Sequence, residues 1–219
     1  MLVWIDCEMT GLSLADDALI EVAALVTDGD LNVLGDGVDV VIKPPHAALE
    51  QMDDFVLDMH TTSGLLPLLE DGLTMADAET QVLDYVKQYV SEPGKAPLAG
   101  NTVGTDRTFL ARDMPALEGY LHYRNVDVSS IKELARRWFP RVYFNTPEKL
   151  GHHRALDDIA ESIEELRYYR EALFVPEPGP TSEELKAIAA RHQASLTARF
   201  GVAPSPQATE QFDEPAESS

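Results

Sequence analysis

Apolar residues cluster into three dense runs near the N-terminus and then spread into sets spaced like helix faces. Residues 1–8 (MLVWIDCE) form a nearly continuous apolar run that predicts a buried strand, closed by a turn at Thr10-Gly11. Residues 19–28 (LIEVAALVTD) predict a second strand. A turn at Asp28-Gly29-Asp30 leads into a third strand over 31–43 (LNVLGDGVDVVIK), where apolar positions alternate. Short connections make these three an antiparallel meander. Pro44-Pro45 ends it, and the mixed stretch 46–72, with Gly64 and Pro67, predicts short helices and loops.

The period then changes. Met75, Ala78, Val82, Tyr85, Val86 and Tyr89 recur at helical spacing behind Thr74, a suitable N-cap, and predict a helix over 74–90. Pro97-Leu98-Ala99 reads as a short strand, 105–112 as a helix, and Val126-Asp127-Val128 as another short strand. Ser129 or Ser130 would cap a helix running through Trp138. In 155–173, Leu156, Ile159, Ile163, Leu166 and Tyr169 or Arg170 recur every three or four residues, which predicts a long final helix. The order β-β-β-α-β-α-β-α points to an α/β sheet with an antiparallel side and a parallel side. Pro176, Pro178 and Pro180 interrupt the pattern. The expected organisation is one domain over 1–175 and an accessory tail over 176–219. Within the tail, 181–199 can form an amphipathic helix, and 203–219 has the composition of disorder.

Composition narrows the classes. Cys7 is the one cysteine of 219 residues, so no intrachain disulfide can form, and a reducing cytoplasm is the expected setting. The N-terminus lacks a basic leader, and no run of about 18 uncharged apolar residues is present, so neither a signal peptide nor a membrane span is expected. Acidic residues number 38 against 17 basic, a net charge of −21. Residues 176–219 hold 7 of the acidic and 3 of the basic residues, so the imbalance belongs to the main domain. Such a chain repels long polyanions, and a nucleic-acid role would need divalent cations or a very short substrate. No phosphate-binding G-x4-G-K-[ST] loop, G-x-S-x-G elbow or C-x-x-C pair is present.

Carboxylates carry the candidate chemistry. Asp6 and Glu8 alternate around Cys7, so both point the same way from the end of a strand expected to be central. Asp106 opens a helix after a short strand, in GNTVGTDRTFL. Asp158 lies about 100° from Ile159 around the last helix, at the rim of its buried face, and His153 precedes that helix. Each piece alone reads better as ordinary solvated strand-end or helix-start acids. Together they place four carboxylates on three elements at the carboxyl edge of an open sheet, where such folds put their sites. All-oxygen ligands suit Mg²⁺ or Mn²⁺, and two such ions roughly 3.5–4 Å apart can clamp an in-line phosphoryl displacement.

The motifs resemble a known family. The D-x-E of WIDCEMTGL, the Asp of GNTVGTDRTFL and the H-x4-D of HHRALDD are similar to the three motifs of the DEDDh 3′-to-5′ exonucleases. MHTTSGL, YRNVDVSSIKELARRW and HRALDDI extend the resemblance to the oligoribonucleases over most of residues 1–175. It implies a ribonuclease-H-like mixed five-stranded sheet, order 3-2-1-4-5, flanked by helices. It also implies metal ligands at Asp6, Glu8, Asp106 and Asp158 and a general base at His153. His152 and Asp157 are neighbours set aside because 153 and 158 keep the family's four intervening residues. The implied reaction is divalent-metal-dependent hydrolysis of very short RNA, dinucleotides especially, to 5′-mononucleotides.

Further implied contacts are Leu12 and Phe55 against bases, His60 nearby, and Thr102 on a sugar. The family generally carries tryptophan where Phe55 stands, and packing in the core is an equal reading for Leu12 and Phe55. Tyr123 and Arg124 match residues that cap the substrate's 5′ end from the other protomer of a homodimer, or are simply a surface pair at a strand edge. Two alternatives stay open at this level: a DEDDh exonuclease acting on single-stranded DNA, and a non-catalytic dimerisation or binding module. Cys7 should face away from the carboxylates as a small buried apolar residue.

Overall fold

The structure, a computed structural model, describes residues 1–148 and 154–201. The chain divides into two units, Met1–Phe174 and Val175–Ser219. In the first, three strands follow one another: β1 (Leu2–Met9), β2 (Leu19–Thr27) and β3 (Val33–Val41). Short helices α1 (His46–Glu50) and α2 (Asp54–Thr62) and a 3₁₀ turn (Leu66–Asp71) lead to α3 (Met75–Tyr89). Then come β4 (Pro97–Gly100), α4 (Gly104–Asp113), α5 (Pro115–Tyr120), β5 (His122–Asp127), α6 (Val128–Trp138), α7 (Pro140–Tyr143) and α8 (Ala155–Leu173). The second unit contains α9 (Ser182–Phe200), opened by a Thr181–Glu184 capping box and closed by Gly201 in the left-handed region. The expected disorder over 203–219 lies outside the described residues.

The five strands form one sheet in the order β3-β2-β1-β4-β5, as expected. β1 pairs antiparallel with β2, which pairs antiparallel with β3, while β1–β4 and β4–β5 are parallel. Alternation along the central strands sorts side chains onto two faces. Val3, Ile5 and Cys7, with Val22, Ala24 and Val26, pack beneath α3 and α4 through Val82, Val86, Phe109 and Leu110. Trp4, Ala23, Leu25 and Ala99 pack beneath α6 and α8 through Ala135, Ala155, Ile159, Ile163 and Tyr169. The Trp4 indole N–H donates to Thr27 Oγ1 at 3.0 Å, so the largest buried side chain keeps its polar atom satisfied.

Three features differ from the pattern-based expectation. β5 begins at His122, four residues before Val126, because its early residues are polar and exposed on the sheet edge, where no apolar alternation marks them. α6 is capped by Asp127, whose Oδ1 accepts the Ser129 N–H at 2.9 Å, instead of by Ser129 or Ser130. The strand's last residue thus doubles as the helix cap. α5 and α7 span 6 and 4 residues, too few for a helical period to show.

β4 is the shortest strand, yet it joins the antiparallel and parallel halves, and its Leu98 is fully buried. Leu98→Ala is expected to destabilise the fold by about 2–5 kcal/mol. A urea unfolding midpoint unchanged from wild type would contradict this role for β4.

Candidate active site

The first strand outruns its parallel neighbour. β1 pairs with β4 at Val3–Leu98 and Trp4–Ala99, so its last residues extend past that ladder. Asp6 and Glu8 continue the α8-facing set begun by Trp4, whereas Cys7 is buried on the opposite face. α8 lies across this end of the sheet and presents Asp158 from its first turn, one residue before the buried Ile159. Carboxylate oxygens of Asp6, Glu8 and Asp158 lie within 4.8 Å of one another.

Asp106 approaches from the other face. It sits in the first turn of α4, is buried, and its Oδ1 accepts the Cys7 N–H at 3.1 Å. It therefore reaches the β1 backbone between Asp6 and Glu8 without joining the group of three. His153 lies outside the described residues.

Crowded acids perturb one another. Glu8 is raised from 4.5 to about 8, first by burial and then by the negative charges of Glu21, Asp158 and Asp106, with Arg154 pulling the other way. Burial raises Asp106 to about 6, against the lowering effect of its backbone hydrogen bonds. Two positive charges placed among these oxygens would remove that penalty, and oxygen-only donors suit a hard divalent cation. The residues present therefore fit such an ion.

Three charged residues at this edge escaped the pattern reading. Glu21 pairs with Glu8 across the β1–β2 ladder and is fully buried. Arg154 meets it with Nε at 2.8 Å and a terminal nitrogen at 2.6 Å, and that nitrogen also lies 3.3 Å from Asp39 of β3. Burial and the Glu21 charge raise Asp39 to about 6. The available signal was an acid inside the apolar run LIEVAALVT, since a buried charge needs a partner.

The expected substrate contacts separate. Leu12 and Phe55 are each 76% exposed, which rules out core packing for both. The loop carrying Leu12 is well tied down. Asp17 accepts from the Thr10 hydroxyl at 3.0 Å and the Ser13 N–H at 2.8 Å, and Arg112 of α4 donates to the carbonyls of Leu14 and Asp17. A Cβ on Gly11 would sit 2.4 Å from Asp17 Oδ2, so any larger residue there would have to displace the Asp17 carboxylate from its bonds. His60 is fully buried, unlike those two: its Nε2 donates to the Met9 carbonyl at 2.9 Å and its Nδ1 lies 4.0 Å from Glu8. It buttresses the carboxylates from below and is no open stacking surface. Thr102 is exposed at a positive φ of 54°, its N–H donating to Asp127 Oδ1 at 3.1 Å and its hydroxyl 3.0 Å from that of Ser129. Tyr123 is 74% exposed on the edge strand β5, with the Arg124 guanidinium 5.4 Å from its ring centre.

Comparison with known proteins agrees with this geometry. The family model described as Exonuclease, of the RNase T type, matches residues 3–166. An oligoribonuclease of Streptomyces coelicolor is 72% identical over 194 residues, covering 89% of this chain and 97% of its own. One from Cutibacterium acnes is 69% identical (90% and 98% covered), and one from Mycobacterium ulcerans 58% identical (97% and 96%). Among solved structures, the zinc-bound complex of E. coli ExoI with single-stranded DNA has a TM-score of 0.59 at 16% identity, covering 90% of this chain and 44% of that one. Exonuclease I of Methylocaldum szegediense gives 0.54 at 20% identity, with 91% and 45% covered. This chain spans less than half the length of those two exonucleases, and at such identity they speak to the fold alone. The fold is the ribonuclease-H-like one of exonucleases.

The raised carboxyls have a measurable consequence. Glu8 and Asp106 hold protons more tightly folded than unfolded, so the stability they contribute is full at low pH. It is lost as pH rises through about 6 and then about 8 in the cation-free protein. A divalent cation binds the deprotonated carboxylates, so its stabilising effect should grow over that range. Melting curves with chelator and with saturating cation, at about pH 5 and about pH 8, test this, and Glu8→Gln should flatten both trends. A cation-induced rise in melting temperature that is the same at both pH values would count against the site.

Proposed function

The chain belongs to the exonuclease family, among its oligoribonucleases, and from that premise we propose that it trims RNA only a few nucleotides long, dinucleotides above all, to 5′-mononucleotides. Its activity as a divalent-metal-dependent 3′-to-5′ exoribonuclease comes with the family. The preference for very short strands rests on one observation: a cluster of carboxylates able to hold a metal ion sits in a chain of net charge −21. A dinucleotide brings few phosphates into that field, whereas each further phosphate adds repulsion.

Asp6, Glu8 and Asp158, with Asp106 from the opposite face, would hold two Mg²⁺ or Mn²⁺ ions, which supply an activated water and neutralise charge on the phosphate. Glu8, its pKa raised in the cation-free protein, would bind a cation as the carboxylate. His153, the residue before Arg154 in the chain, takes the proton of the attacking water. Leu12 and Phe55 present exposed apolar surface on which bases can stack without regard to sequence. Thr102 offers its hydroxyl to the ribose. The 1–175 segment acts as the exonuclease domain, and 176–219 is an accessory tail.

Tyr123 and Arg124 lie exposed on an edge strand, and in our reading they close over the 5′ end of the substrate bound to a second protomer of a two-fold dimer. A cytoplasmic setting suits the buried, unpaired Cys7. Among the described residues no helix is long and apolar enough to cross a membrane.

Two experiments test this. Hydrolysis of a diribonucleotide, a longer RNA and single-stranded DNA should be fastest for the first and cease with chelator. Asp6→Ala should leave no measurable turnover, and His153→Ala should cost about 10²–10⁴-fold in kcat. Preference for long DNA would overturn the substrate assignment. In the second, sedimentation should give the mass of two chains, and Tyr123→Ala should lower kcat/KM for the diribonucleotide about tenfold, near 1.4 kcal/mol. A fully active monomer would exclude the composite site.

A further inference from the structure

The start of α8 is held in an unusual way. Helices ordinarily recruit a local Ser, Thr, Asp or Asn to accept their first N–H groups. Here the N-cap position is Arg154, in an extended conformation and with no side-chain cap bond of its own. An arginine has donors only and cannot serve as a cap. The Ala155 N–H donates instead to Glu21 Oε2 at 3.2 Å, from a strand 134 residues earlier. The other oxygen of the same carboxylate takes the Arg154 fork, at 2.8 and 2.6 Å. One fully buried carboxylate thus grips two successive residues, by backbone and by side chain.

That grip bears on the carboxylate cluster. The sheet-facing side of α8 begins with Ala155, which packs in one cluster with Trp4, Ala23, Leu25 and Ala99. Apolar packing holds the helix against the sheet, and the bonds from Glu21 fix its first two residues directly. Asp158 lies three residues past Ala155, so a rotation or slip of that first turn carries its carboxylate away from Asp6 and Glu8. Glu21 also stands directly across the ladder from Glu8, so Arg154 is the countercharge that lets it stay there. His153 is joined to the gripped segment by a single peptide bond.

We propose that Glu21 is a positioning residue of the active site. Through Ala155 and Arg154 it sets the register of α8, and thereby the placement of Asp158 against the Asp6–Glu8 strand end. It acts on cation affinity and turnover, and leaves substrate affinity alone. This rests on the cation site described above.

The test uses the full-length protein. Mn²⁺ binding is measured directly by titration calorimetry without substrate, beside kcat and KM for a diribonucleotide well below the melting temperature. Glu21→Gln retains an acceptor for the Ala155 N–H but loses the charge on Arg154. It is expected to fold, to bind Mn²⁺ about 10–100-fold more weakly, and to lose kcat in similar proportion. KM is expected to stay within about twofold, and raised Mn²⁺ should recover part of the rate. Should this variant not fold, Arg154→Lys, which keeps the charge and surrenders the fork, carries the same comparison with a smaller loss. Wild-type Mn²⁺ affinity in the folded variant would refute the proposal. So would an activity loss that merely tracks unfolded protein and is untouched by added Mn²⁺. A wild-type protein that binds no Mn²⁺ would overturn the cation site itself, and the proposal with it.

Discussion

Mutual repulsion among carboxylates gathered at one strand end governs this molecule. Asp6, Glu8 and Asp158 share a few ångströms, Asp106 reaches the intervening backbone, and Glu21 faces Glu8 across the ladder. Among the described residues, Arg154 places a positive charge beside Glu21 and Asp39. Without a cation, burial and the neighbouring acids raise Glu8 to about 8. Two well-packed faces of the sheet and the anchored first turn of α8 keep the acids together. The repulsion is thereby stored in a form that a divalent cation relieves. Binding of the cofactor and stability of the fold are for that reason linked.

Much of this was legible in the chain because local periodicity carries it. A period of two puts Asp6 and Glu8 on one side of β1 and Cys7 on the other, and the structure has them so. A period of 3.6 leaves Asp158 beside the buried Ile159. The strand order came from the family resemblance, and the order of elements along the chain agreed with it. What remained hidden depends on partners distant in sequence. No local rule pairs Glu21 with Arg154, or ties Arg112 to the loop of Leu12. The polar start of β5 shows no alternation because an exposed edge does not require one. His60 shows how neighbouring motif residues diverge: it lies near Phe55 in the chain, yet one is sealed beneath Glu8 and the other stands in solvent.

The acidic surface and the acidic site serve different ends. The site needs negative charge to hold cations. The surface, which supplies most of the −21, acts at longer range and is screened over about 8 Å at physiological ionic strength. A long strand must cross that field along many nucleotides, whereas a dinucleotide meets it once. The proposed preference for short strands would then come from the ordinary cost of bringing like charges together.

The span between Glu21 and Ala155 also has a bearing on biosynthesis. The ribosome delivers β1 and β2 first, and the helix that completes their edge arrives only after 134 further residues. Until then Glu21 has no Arg154 and the strand-end acids lack Asp158, so the cluster of three carboxylates closes only when nearly the whole of the first unit has been made.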